Sequence, residues 1–198
     1  MSLLIIDNKD SFTFNLVELF RTIYPGTIKV IEYEQVNLQE WQKHTFVVIS
    51  PGPGLPEDFP HYSEWIGHLR PEQTLLGICM GHEIIATYFG GKLKQMDIVS
   101  HGVSSDIYFT SNTDRLFSGL SEPVGVGLYH SWIVSEIGLP DCLEITARDK
   151  QGQIMAIRHR HKNISSVQFH PESYITKSGK SMMENWFSDK GFTVLSGK

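Results

Sequence analysis

Apolar residues follow two rhythms along the chain. In the first half, short unbroken apolar runs alternate with stretches of helical spacing. Leu3 to Ile6 is continuous apolar sequence, the pattern of a strand covered on both faces. Phe12, Leu16, Leu19, Phe20 and Ile23 then recur at helical intervals, predicting a helix with Asp10 or Ser11 as its N-cap. Ile28 to Ile31 and Phe46 to Ile49 predict the next strands. Asp58 to Leu69 predicts a helix with Pro60 near its first turn, and Leu75 to Ile78 a further strand. His82 to Phe89 predicts a helix closed by Gly90-Gly91.

The second half changes rhythm. Val103 to Phe109, Val124 to Tyr129, Leu143 to Ala147, Ile154 to Ile157 and Ser165 to Phe169 predict strands. Turn-rich segments such as Ser111 to Asp114 and Lys150 to Gly152 separate them, and an amphipathic helix is expected over Ser178 to Phe187. Strand–helix alternation followed by strand repetition predicts an α/β fold. The expected architecture is an open, mixed, mostly parallel sheet with helices on both faces and a small antiparallel element. Ligands belong at the carboxyl ends of its parallel strands.

Composition narrows this only slightly. No Ser/Gly-rich or charge-rich linker interrupts the 198 residues, so a single domain over 1–198 is expected. A net charge of −5 gives no reason to expect a nucleic-acid or anionic-membrane partner. The exception is the basic run Arg158 to Lys162, a solvated turn or a partner contact. Two cysteines, Cys79 and Cys142, fit a reducing compartment better than a disulfide scaffold. The apolar start is too short for a signal-peptide core and no stretch approaches a membrane span, so a cytoplasmic, unprocessed protein is expected. The histidines and cysteines show no short ligand spacing, so no metal is expected.

Chemistry concentrates in three segments. The apolar strand ending at Ile78 runs into Gly77-Ile78-Cys79-Met80-Gly81 and then into a helix. This is the logic of a nucleophile elbow, with sulfur where hydrolases of the Gly-x-Ser-x-Gly type carry oxygen. Flanking glycines permit the tight turn, and the following helix N-terminus favours a thiolate. The N–H of Met80 is placed to stabilise an oxyanion. Cys142 lacks such a context. A thiol attacking an amide also needs a base. His170 supplies one at the end of a strand, and Glu172, two residues on, shares its face and can orient the imidazole. The third segment, Ser50-Pro51-Gly52-Pro53-Gly54, is a rigid loop after a strand, offering a second oxyanion donor or serving as a plain turn. It lacks the lysine and hydroxyl residue of a phosphate-binding loop.

Taken in order, the motifs resemble the class I glutamine amidotransferases over nearly the whole chain, above all the subunits serving anthranilate synthase and aminodeoxychorismate synthase. The matching pieces are Ile5 to Leu16, Ser50 to Gly54, Gly77 to His82, His101-Gly102, Tyr129-His130-Ser131 and Val167 to Ser173. The resemblance implies a Cys79, His170 and Glu172 triad hydrolysing L-glutamine to glutamate and ammonia. It implies oxyanion donors at Gly52 and Met80, and substrate contacts at Gly52, Pro53, Gly54, Glu83, Ser131 and Trp132. It further implies that this chain carries no cofactor and that a chorismate-binding synthase partner receives the ammonia.

Three positions depart from the family pattern. Glu83 stands where Gln is usual, Val103 where Lys is usual and Trp132 where Leu is usual. An ionised carboxylate only accepts hydrogen bonds and disfavours a nearby thiolate, so Glu83 predicts weakened or partner-dependent glutaminase activity. The alternative functions are a stand-alone γ-glutamyl amide hydrolase and a catalytically weakened regulatory subunit.

Overall fold

The computed structural model describes residues 1–110 and 114–188. Its strands are β1 (Ser2–Asp7), β2 (Thr27–Glu32), β3 (Phe46–Ile49), β4 (Thr74–Ile78), β5 (Leu93–Phe109), β6 (Val124–Val134), β7 (Leu143–Asp149), β8 (Ile154–His159) and β9 (Ile164–Val167). The helices are α1 (Thr13–Ile23), α2 (Leu38–Lys43), α3 (His61–Gly67), α4 (Met80–Tyr88) and α5 (Gly179–Phe187). All nine strands join one sheet in the order β2-β1-β3-β4-β9-β8-β7-β5-β6. The first five in that order run parallel, and β8, β7, β5 and β6 continue antiparallel. The α/β class and mixed sheet follow the sequence pattern; the antiparallel part, expected to be small, comprises four strands.

Every residue of β3 and β4 is buried, as continuous apolar strands require. Successive side chains of a strand point to opposite faces. Thus Leu3, Ile5 and Val48 pack under α1 and α5 with Phe20, Trp186 and Phe187. Leu4, Ile6 and Val47 pack on the other face with Trp41 of α2, Trp65 of α3 and Ile85 of α4. Each such large side chain contributes about 1.5–3 kcal/mol on burial. The edge strand β2 carries the charged Lys29 and Glu32, which discourage pairing with another chain.

Several boundaries differ from expectation for identifiable reasons. The first ten residues of β5 are half-buried or exposed, so no alternation marked them, yet the strand starts at Leu93 rather than Val103. The helix expected from Asp58 begins at His61, after a 3₁₀ turn over Pro56–Asp58, with Pro60 as its N-cap residue. No pattern revealed the short α2, which Asn37 caps by accepting from the Glu40 N–H at 2.9 Å. Neither Asp10 nor Ser11 caps α1; its N-cap residue is Phe12, whose N–H donates to Asp10 Oδ1 at 2.7 Å. Of the turn expected at Ser111 to Asp114, residues 111–113 lie outside the described residues.

Candidate active site

Adjacent parallel strands end side by side, so the segments that follow β1, β3, β4 and β9 meet at one edge of the sheet. After β4 the backbone turns at Cys79, with φ 53° and ψ −105°, and α4 starts at the next residue. A non-glycine residue in such a conformation costs about 1–3 kcal/mol and persists only where its surroundings enforce it. Here the Cys79 N–H donates to Val167 O at 2.8 Å, and Cys79 O accepts from the N–H groups of His82 and Glu83 at 2.9 and 3.2 Å. A Cβ at Gly77 would strike the Gly81 carbonyl, and one at Gly81 the Ile49 carbonyl. Both glycines are therefore required by close backbone approach. Cys142 lies elsewhere, half-buried in the cluster of Leu143 and Ile157.

His170 sits just beyond β9. The sheet curls until β6, last in the strand order, returns to it: the His170 N–H donates to Gly127 O at 3.0 Å. Its carbonyl accepts from Thr176 Oγ1 at 2.6 Å. Phe12 and Tyr129 pack on the ring, with centroids 5.0 and 4.9 Å away. Nδ1 lies 2.7 Å from Glu172 Oε1, both side chains almost wholly buried. Burial alone would lower the imidazole pKa, but Cys79 and Glu172 acting on the same ring raise it to about 10. Burial pushes the Cys79 thiol up, and His170 opposes that shift. Among the described residues, buried His170 Nε2 has no conventional hydrogen-bond partner.

Cys79 opens into a cavity of about 250 Å³, walled by the loop Gly52 to Gly54, by Met80 and Glu83 of α4, and by Tyr129 to Trp132 of β6. All the sequence-predicted binding positions thus line one space, joined by Val99 and His101 from β5. The side chains of His170 and Glu172 lie buried rather than in its wall, and Val103 is exposed on β5. Gly52 approaches Met80 and Asn8 so closely that a Cβ would overlap both side chains. Asn8 braces this loop: its N–H donates to Ser50 Oγ at 3.0 Å and its Nδ2 to Ser50 O at 2.9 Å. Tyr62 in turn donates to Asn8 Oδ1 at 2.6 Å.

Burial lowers the pKa of His82 to about 3 and that of His130 to about 4, so both are neutral at pH 7. His82 Nδ1 pairs with Ser166 Oγ at 2.8 Å, and His130 Nδ1 donates to Trp132 O at 3.0 Å. Among the described residues no cluster of His, Cys, Asp and Glu is arranged to hold a metal ion. Among those residues, too, no helix is long and apolar enough to cross a membrane.

Glu83 is 4% exposed, and its Oε1 accepts from Gln168 Nε2 at 3.1 Å. The same nitrogen lies 3.9 Å from Cys79 Sγ. Burial raises the Glu83 pKa to about 7, against the opposing effect of the Gln168 donor. Sequence reasoning overlooked Gln168 and Asn8 as site residues. Gln168 was detectable, because it leads directly from β9 into His170, where every side chain faces either core or site. Asn8 was marked only by its place within the matching segment Ile5 to Leu16.

A cysteine raised on a strand–helix turn above such a sheet, with a carboxylate-oriented imidazole beside it, has the form of a nucleophile elbow. The family model for glutamine amidotransferase class-I matches residues 4–190, and the chain belongs to that family. Aminodeoxychorismate/anthranilate synthase component 2 of Bacillus subtilis is 39% identical over 186 residues, covering 93% of this chain and 94% of that protein. Anthranilate synthase component 2 of Pseudomonas aeruginosa is 35% identical over 196 residues, covering 96% of each. Among solved structures, a Thermoplasma acidophilum protein described as part of a GMP synthase shares the fold. Its TM-score is 0.83 at 22% identity, covering 95% of this chain and 92% of that one.

Proposed function

We propose that the chain is the glutaminase subunit of a cytoplasmic, chorismate-using synthase. Its ammonia serves formation of anthranilate or 4-amino-4-deoxychorismate on a partner protein. The observation that carries this reading is the cavity whose floor is Cys79, backed by an imidazole that a buried carboxylate orients. The names of the relatives, component 2 of anthranilate and aminodeoxychorismate synthases, supply the pathway class.

In this mechanism the Cys79 thiolate attacks the γ-amide carbon of L-glutamine, and the N–H groups of Gly52 and Met80 receive the oxyanion. His170 donates its proton to the amide nitrogen, the C–N bond breaks, and ammonia leaves a γ-glutamyl thioester. His170 then takes a proton from water, hydroxide displaces the sulfur, and glutamate departs with thiolate and imidazolium restored. Glu172 fixes the imidazole tautomer and stabilises the imidazolium. Pro53, Gly54, Ser131 and Trp132 shape the pocket around the amino-acid end, and no cofactor takes part. Ammonia in neutral water is mostly protonated, which makes direct transfer to the partner chemically useful.

Glu83 qualifies this activity. Above pH 7 its carboxylate places a negative charge beside Cys79 and raises the thiol pKa further. The isolated chain is then a weak glutaminase that a partner activates. The deciding assay measures glutamate release by wild type and Cys79→Ser, alone and with each candidate chorismate-binding protein. Release that requires the Cys79 thiol, and rises with one partner, supports the reading. Equal release by Cys79→Ser would overturn the mechanism, and full activity without any partner would favour a stand-alone amide hydrolase.

A further inference from the structure

The basic run Arg158 to Lys162 is not absorbed by the chemistry above. It leaves β8 and forms, with the start of β4 and β9, the wall of a second cavity of about 190 Å³. Thr74 opens β4, whereas Cys79 follows its other end. Five residues at about 3.3 Å each put the two sites about 16 Å apart along that strand. The cavity is lined by Arg115, Arg158, Arg160, Lys162, Ser165 and Trp186, among others. An adjoining recess shares His161, Lys162 and Asn163 and adds Arg70.

We propose that this cavity is a binding site for a small phosphate group, either inorganic phosphate or a phosphate monoester. Its cations are positioned in advance. Glu144 Oε2 accepts from Arg158 Nε at 2.9 Å and Nη2 at 2.6 Å, and lies 3.6 Å from Arg160 Nη1. Arg160 Nε donates to Asp141 O at 2.8 Å. These bonds hold both guanidinium planes while leaving further N–H groups for a ligand, and guanidinium forks match phosphate oxygens.

Asp114 also borders the cavity, but its carboxylate is occupied by Thr146 Oγ1 at 2.7 Å and the Leu116 N–H at 3.1 Å. Among the described residues, the three cations Arg158, Arg160 and Lys162 outnumber the carboxylates Asp114, in the wall, and Glu144, beside it. Two donors independently call for an acceptor. Trp186 Nε1 and Arg70 Nε are buried in the walls of the cavity and of its recess without a hydrogen-bond partner among the described residues. A buried donor left unpaired is unfavourable, and an oxyanion supplies acceptors. The chain as a whole is acidic, with a net charge of −5, so a concave cationic site suits a small anion better than a polyanionic surface.

The test is calorimetric titration of the full chain with inorganic phosphate and with glycerol 3-phosphate, at constant ionic strength set by sodium chloride. Saturable binding at millimolar or lower concentration is expected. A melting midpoint raised by about 3–6 °C at ten times the Kd should accompany it. Tighter binding of the monoester assigns the site to a phosphorylated metabolite; equal binding assigns it to free phosphate. The double variant Arg160→Gln/Lys162→Gln alters exposed side chains, should keep its ligand-free melting midpoint, and should bind at least about tenfold more weakly. Lys162→Gln alone provides the second variant and should weaken binding in the same direction. No saturable binding below about 10 mM, or wild-type affinity in both variants, overturns the proposal. Glutamate release does not enter this readout, so the outcome is separable from that of the glutaminase assay.

Discussion

Replacing Glu83 by Gln removes a charge that the fold holds out of water, and the effect has a defined sign. The carboxyl titrates near 7 in the folded chain, against an ordinary value of 4.5, because α4 buries it. Between those two values the native chain holds a proton that the unfolded chain has released. Stability from this group is therefore full at low pH and is lost as pH rises through the folded pKa. A gap of about 2.5 units at about 1.4 kcal/mol each makes ionised Glu83 unfavourable by about 3 kcal/mol at pH 8. Near pH 5 the same linkage leaves less than about 1 kcal/mol. Glutamine is nearly isosteric, and its carbonyl can keep the bond that Gln168 Nε2 now gives to Oε1 at 3.1 Å. Urea unfolding of Glu83→Gln should accordingly match wild type at pH 5 and exceed it by about 3 kcal/mol at pH 8, at unchanged m-value. Glutamate release should also rise, most strongly above pH 7, because the charge beside Cys79 is gone. A stability gap that does not grow with pH, or unchanged turnover, would refute the reasoning.

Other perturbations probe neighbouring links. Gln168→Leu deletes the donor that restrains the Glu83 pKa, so carbon-detected titration of Glu83 should move its midpoint upward; a downward shift would show that the bond does not control it. Glu172→Gln removes a charge that helps hold the His170 pKa near 10, so proton NMR should find that imidazole titrating lower. Glutamate release should then fall by about 10²–10⁴-fold, and a loss under tenfold would contradict the orienting role. Gly81→Ala drives a methyl group into the Ile49 carbonyl and should cost about 1–3 kcal/mol by urea unfolding. Phe46→Ala empties a fully buried site against Trp186 and Phe187 and should cost about 3–5 kcal/mol, without altering the pH dependence assigned to Glu83.

Much of this molecule was legible from local pattern. The unbroken apolar runs of β1, β3 and β4 reported burial on both faces, and glycines at 77 and 81 reported a turn too tight for side chains. The pairing of His170 with Glu172 was accessible because residues two apart in extended chain share a face. Strand order was not. That β9 lies beside β4, bringing His170 to Cys79, depends on long-range pairing that no local rhythm encodes. Nor does any pattern within β6 announce that the sheet curls until Gly127 meets His170, which carries Ser131 and Trp132 to the cavity. The proton affinity of Glu83 belongs to the same category. The residue type identified a carboxyl group four positions along from Cys79; only packing, which strips its water and leaves Gln168 as its hydrogen-bond donor, decided when that group is charged.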